Sequence, residues 1–100
     1  MEKLESFMQL KVWQKAHKVV LKVYKMTSSF PKEEKFGLVQ QMRRSCVSVP
    51  ANIAEGFKKK GLKDKANFYN IAQGSLEEFK YYLLLSNDLG FNPDFKILVA

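Results

Sequence analysis

The stretch 11-KVWQKAHKVVLKVYKMTSSF-30 decides the fold of this chain. Its apolar positions recur every three or four residues, which is the spacing of one face of an α-helix. These positions are Trp13, Ala16, Val20, Val23, Thr27 and Phe30. The pattern predicts a first helix over about 7–29. Pro31 ends this helix, because helical backbone is disfavoured for the residue that precedes a proline.

Two further segments carry the same periodicity. The second helix is predicted over about 31–60, with Pro50 inside the pattern as the source of a kink. Its apolar seam consists of Val39, Met42, Cys46, Val49, Ile53 and Phe57. The third helix is predicted over about 63–89. We expect Gly61 to cap the second helix and Gly90 to end the third.

The predicted fold class is all-α. Short connections between helices favour an antiparallel up-down four-helix bundle, with a kinked second helix, in a single domain covering residues 1–100. The fourth helix is expected to be short or truncated, because the start signal at Asn92-Pro93-Asp94 leaves few residues after it. The segment Phe79–Leu85 is apolar nearly all round, which predicts that a second subunit covers it.

Charge is the clearest functional signal. Lysine and arginine number 17 against 10 acids, giving a formal net charge of +7, which favours nucleic acid or an acidic protein as partner. One face of the first helix carries Lys11, Lys15, Lys18, Lys22 and Lys25, and no acid occurs between Glu5 and Glu33. The row is either an ordinary solvated face or a surface that binds a polyanion.

Further cations follow on the second helix. Lys58, Lys59 and Lys60 either stabilise the negative end of that helix or contact a polyanion. Arg43 and Arg44 suit phosphate, because the guanidinium group donates two parallel hydrogen bonds. They equally suit an intersubunit salt bridge to Glu33, Glu34 or Glu55.

The residues that catalysis needs are scarce. The chain has one histidine, His17, and one cysteine, Cys46, which we interpret as a helix-boundary residue and a buried structural thiol. We expect no catalytic residues, no metal and no cofactor. Asn52, Glu55, Ser75 and Glu78 are predicted to form a structural polar network between helices. The alternative, a metal bound by Glu55 and Glu78, lacks the Glu-x-x-His repeats of di-metal bundles.

The single cysteine is typical of a reducing compartment. No apolar stretch is long enough to cross a bilayer, which takes about 18 residues or more. We therefore expect a cytoplasmic protein that does not associate with membranes.

The order of several motifs resembles the four-helix bundle family of 23S ribosomal RNA intervening-sequence proteins, over roughly residues 7–90. That family is similar to the accessory variability protein of diversity-generating retroelements. The motifs are Trp13-Gln14-Lys15-Ala16, Val23-Tyr24, Phe30-Pro31-Lys32-Glu33-Glu34, Gln41-Met42-Arg43-Arg44-Ser45, Ser48-Val49-Pro50-Ala51-Asn52-Ile53-Ala54-Glu55-Gly56 and Ala72-Gln73-Gly74-Ser75-Leu76-Glu77-Glu78.

The resemblance implies a ring-like homopentamer of four-helix bundles without catalytic activity. It implies that Arg43, Arg44 and Lys58–Lys60 contact a reverse transcriptase or nucleic acid, as the basic surface of the retroelement relatives does. It also implies a structural role for the four polar residues between helices.

Two functions remain open at this stage. The first is a homo-oligomeric accessory factor that binds RNA or a nucleic-acid–protein complex through its basic surface. The second is a structural adaptor ring that binds an acidic protein without nucleic acid.

Overall fold

The computed structural model describes residues 6–91 and 93–98, and these residues form three α-helices. The helices are α1 (Lys11–Thr27), α2 (Leu38–Lys58) and α3 (Leu62–Asp88). The all-α prediction is confirmed for this part of the chain. Where the short fourth helix was expected, Phe95–Leu98 form a 3-10 turn.

The start of α1 lies later than the periodicity predicts. Phe7–Gln9 form a 3-10 turn, and Leu10 has extended backbone before α1 begins. The Ser6 hydroxyl accepts a hydrogen bond from the Met8 amide, and the Gln9 side chain accepts one from the Ser6 amide. This reciprocal cap closes the turn locally.

The prediction that the second helix begins at Pro31 is wrong. Lys32–Glu34 form a 3-10 turn, and Gly37 has non-helical backbone immediately before α2. The Glu34 carboxylate accepts a hydrogen bond from the Leu38 amide at 3.2 Å. The first amides of a helix lack partners within that helix, and the Glu34 carboxylate supplies one. It therefore caps α2 at Leu38, and no continuous helix runs from Pro31 into α2.

Helix α2 continues through Pro50 to Lys58, as predicted. It lies antiparallel to α3. Ser48 contacts Ser75 near the middle of both helices, whereas Gly56, near the end of α2, faces Tyr69, near the start of α3.

The connection between α2 and α3 differs from the prediction for Gly61. This glycine has extended backbone and precedes α3, so it does not cap α2. Gly90, by contrast, ends α3 as predicted, with a positive φ of 84°. The Gly90 and Phe91 amides donate to the Asn87 and Ser86 carbonyls, which completes a Schellman motif.

The core lies where the three helices meet. Its buried members come from all three helices, from the connection after α1 and from the C-terminal turn: Val23, Phe30, Leu38, Val39, Met42, Cys46, Phe79, Leu83 and Ile97. Helices α1 and α3 both pack on α2 but scarcely touch each other. A groove therefore stays open between α1 and α3, with α2 as its floor.

Candidate nucleic-acid interface

The lysine row of α1 lies on the side of the helix that faces away from the core. Lys11, Lys15, Lys18, Lys22 and Lys25 are all exposed, whereas Val23 and Thr27 on the opposite side are buried. At 1.5 Å per residue the row is about 21 Å long. Among the described residues the only ion pair joins Lys80 to Glu77, so no described carboxylate neutralises this row.

The aromatic residues Trp13 and His17 of α1 lie away from the lysine row, on the side of the helix that faces α2. The Trp13 indole stacks on the His17 imidazole, with ring centroids 4.9 Å apart and planes at 10°. The Phe7 ring meets Trp13 edge-on at 5.0 Å. His17 is exposed near the middle of α1.

Arg43 joins α1 to α2. Its Nε donates to the Thr27 hydroxyl at 2.9 Å, and its Nη2 donates to the Tyr24 carbonyl at 3.2 Å. The guanidinium carbon lies 4.5 Å from the centroid of the Tyr24 ring. Because two of its donor nitrogens are occupied within the chain, Arg43 has fewer donors for phosphate than the sequence indicates.

Arg44, the next residue, is exposed on α2. Its positive charge acts on Tyr82 of α3, whose hydroxyl donates to Glu78 at 2.7 Å. The hydrogen bond to Glu78 raises the pKa of Tyr82, and the charge of Arg44 opposes this shift. Arg44 thus lies at the surface between α2 and α3, and within the described part of the chain its guanidinium makes no hydrogen bond.

The lysines at the end of α2 divide into two groups. Lys58 and Lys60 are exposed, whereas Lys59 is half-buried, with its ammonium 5.2 Å from the centroid of the Phe68 ring. The Gly56 and Phe57 carbonyls at the end of α2 are capped by Lys65, whose ammonium donates to Gly56 at 3.1 Å and to Phe57 at 2.9 Å. Sequence reasoning missed this role because Lys65 lies on the next helix.

The polar contact between α2 and α3 centres on Ser48, which the sequence analysis did not include in the network. Ser75 donates to the Ser48 hydroxyl at 2.8 Å, and the Asn52 amide donates to the same hydroxyl at 2.9 Å. Glu55 and Glu78 are exposed and lie outside this contact. The four-residue network is thus corrected to Ser48, Asn52 and Ser75.

Cys46 is a buried free thiol. It donates to the Arg43 carbonyl at 3.3 Å, and burial raises its pKa to about 12. The thiol is therefore protonated at neutral pH, which makes it a weak nucleophile. Within the described residues no three His, Cys, Asp or Glu side chains are grouped as metal ligands.

The groove between α1 and α3 contains a cavity of about 350 Å³. Its walls are apolar, and they come from Val12, Ala16, Val19, Cys46, Val49, Ile53, Leu76 and Phe79. Lys15 and Lys80 also line it, one from each flanking helix. None of the helices in the described parts of the chain is long and apolar enough to span a membrane.

A search of curated proteins gave no significant match. The sequence model of the 23S rRNA-intervening sequence protein family matches residues 8–97, nearly the whole chain. The chain therefore belongs to the family of 23S rRNA-intervening sequence proteins.

Proposed function

We propose that this protein is a non-enzymatic, homo-oligomeric accessory factor that binds RNA, or an RNA–protein complex, through its basic surface. The observation that supports this most is the row of five exposed α1 lysines without a described carboxylate beside it. Lysine ammonium groups that bind phosphates release condensed counterions, and this release supplies most of the affinity of sequence-independent binding.

The family takes its name from sequences that interrupt 23S rRNA, so RNA is the first polyanion to test. The Trp13 and His17 rings of α1 stack on each other and lie toward α2, away from the lysine row. This favours contact with the phosphate backbone over stacking on unpaired bases.

We also propose that a fourth helix fills the groove between α1 and α3 and completes the bundle. The apolar walls of the groove support this, because an open apolar channel of this kind costs free energy in water. Ile97 is already buried at the core beside α1. The ring-like homopentamer, and similarity to the accessory protein of diversity-generating retroelements, belong to the same proposal.

The test compares two triple variants that lower the net charge of +7 by the same three units. The first removes part of the row by Lys15→Gln, Lys18→Gln and Lys22→Gln. The second is the matched control, with Lys32→Gln, Lys63→Gln and Lys96→Gln, all exposed lysines outside α1. Affinity for an RNA duplex is measured by fluorescence anisotropy at several salt concentrations.

We expect the row variant to lose most of its affinity and the control to lose little. For the wild type, five phosphate contacts per protomer predict a slope of log K against log salt of about −4 to −5. The row variant should reduce this slope by about 2 to 3. Equal losses in the two variants, or no binding at low salt, would contradict the proposal. Co-purification with an acidic protein that survives nuclease treatment would favour the adaptor function instead.

A further inference from the structure

Helix α3 carries a second helical seam, separate from the one that enters the core. Its residues Ile71, Gly74, Glu78 and Tyr81 are spaced 3, 4 and 3 apart, whereas Leu85, four residues further on, packs against the core. Ile71 is 50% exposed and Tyr81 is 57% exposed. A Cβ added at Gly74 would meet no atom within 4 Å. We name this surface the α3 outer seam.

The α3 outer seam has the form of a helix-packing surface. Large side chains at Ile71 and Tyr81 flank a glycine, which allows another element to approach closely between them. The core side of α3 is already occupied, because Ala72, Phe79 and Leu83 are buried against the rest of the protomer. A second apolar seam on one helix therefore indicates a second neighbour.

A different apolar surface lies between α1 and α2. It is a shallow depression of about 280 Å³, and its lining includes Trp13, His17, Val20, Val47, Ala51 and Ala54. Ala51 is exposed and Ala54 half-buried, so the α2 side of the depression is formed by small side chains. We name this surface the α1–α2 face.

The two surfaces differ in charge. The α3 outer seam includes Glu78, while the rest of α3 carries exposed groups of both signs, namely Asp64, Glu77, Asp88, Lys63 and Lys80. On α2, Arg44 and Lys58 lie seven residues before and after Ala51, on the same side of the helix. One acid, Glu55, lies near Lys58. The border of the α1–α2 face is thus mainly basic.

We infer that the α3 outer seam of one protomer packs on the α1–α2 face of a second copy of this chain. Shape supports the pairing, since Gly74 leaves room for a large ring such as Trp13, and Ala51 and Ala54 leave room for Tyr81. Charge opposes the symmetric alternative. Two antiparallel α3 seams would place Glu78 beside Glu78 of the partner subunit, and opposed carboxylates repel.

This assignment rests on the self-association proposed above and specifies which surfaces mediate it. Because the two surfaces differ, every protomer binds one neighbour through each of them. Such a head-to-tail contact closes into a ring if the rotation between copies permits, and otherwise extends into a filament.

The test uses two variants, each of which blocks one surface. Gly74→Arg fills the space on the α3 outer seam, and Ala51→Arg fills it on the α1–α2 face. Gly74 is inside a helix and open to solvent, so its replacement favours the folded helix. Ala66→Arg, an exposed site on α3 away from the seam, is the matched control. Circular dichroism checks that each variant keeps its helices.

Light scattering then gives the mass of each sample. We expect Gly74→Arg alone and Ala51→Arg alone to have the protomer mass of 11.6 kDa, while Ala66→Arg assembles as the wild type does. An equimolar mixture of the two blocked variants should form dimers of twice the protomer mass, because one intact pair of surfaces remains.

Three results would overturn the inference. Assembly of either blocked variant alone would show that its surface is not used. A mixture that stays at the protomer mass would show that the two surfaces do not meet. If the wild type had the protomer mass at every concentration, the proposed self-association itself would be wrong. The first two results, by contrast, would leave self-association standing and reject only the pairing of surfaces.

Discussion

Single residues set how closely the elements of this protein approach each other, and Gly56 is the clearest case. A Cβ placed on Gly56 would lie 2.5 Å from a ring carbon of Tyr69. The α2 backbone and the Tyr69 ring therefore pack without room for a methyl group. Gly56 is buried inside α2, so the glycine serves the close packing of α2 against Tyr69 and does not form a turn.

We expect Gly56→Ala to destabilise the protein by about 1 kcal/mol, at the low end for overpacking, because the added methyl group displaces the Tyr69 ring, which is 36% exposed and can move toward solvent. In a Tyr69→Ala background the ring is absent, and the same change should be neutral or stabilising by up to about 1 kcal/mol, owing to the helix propensity of alanine. Urea unfolding at one fixed protein concentration measures the free energies. An equal loss in both backgrounds would contradict the proposed contact.

At the scale of elements, polar side chains determine how the helices are joined. Arg43 connects α2 to α1 through Thr27 and Tyr24. Ser48 connects α2 to α3 through Ser75. Lys65 connects the start of α3 to the end of α2. Each of these contacts joins groups on two different helices, so together they fix the positions of helices that apolar packing alone would allow to slide.

The paired substitutions Arg43→Lys and Arg44→Lys test the contact between α1 and α2. Arg43→Lys should lower the free energy of unfolding by about 1–2 kcal/mol, because lysine cannot make both forked contacts. Arg44 is exposed, so Arg44→Lys should change it by less than about 0.5 kcal/mol. Chemical denaturation compares the two. If both substitutions changed the free energy of unfolding equally, the two hydrogen bonds of the Arg43 guanidinium would contribute no stability of their own.

At the scale of the whole molecule, the described protomer leaves much apolar surface in water. Tyr81 and Leu84 of α3 are more than half exposed, and the groove between α1 and α3 has apolar walls. Small domains also bury a smaller share of their surface than large ones do. Both features favour assembly.

We expect light scattering to give a molar mass several times the 11.6 kDa of the protomer, with five copies as the number that the family resemblance implies. The physical reason is the burial of apolar surface between copies, at about 25 cal/mol for each Å². A protomer mass over the whole accessible concentration range would contradict this expectation and would leave Tyr81 and Leu84 without a neighbour.

The apolar spacing by itself determined the three helices and most of the core. Val23, Met42, Cys46 and Phe79 are buried as their seams predict, because a helical period places these side chains on one face whatever the neighbours are. The row of lysines on α1 is exposed for the same reason. Gly90 ends α3 because glycine adopts positive φ without steric cost.

The tertiary structure decided the features that depend on residues distant in sequence or on competing caps. Helix α2 begins at Leu38 because Glu34 and Gly37 interrupt a pattern that periodicity extends to Pro31. Arg43 became a link between helices because Thr27 and Tyr24 lie within its reach. The sequence contains these side chains, but only packing brings their donors and acceptors together, since hydrogen bonds need distances near 3 Å that spacing along the chain cannot specify.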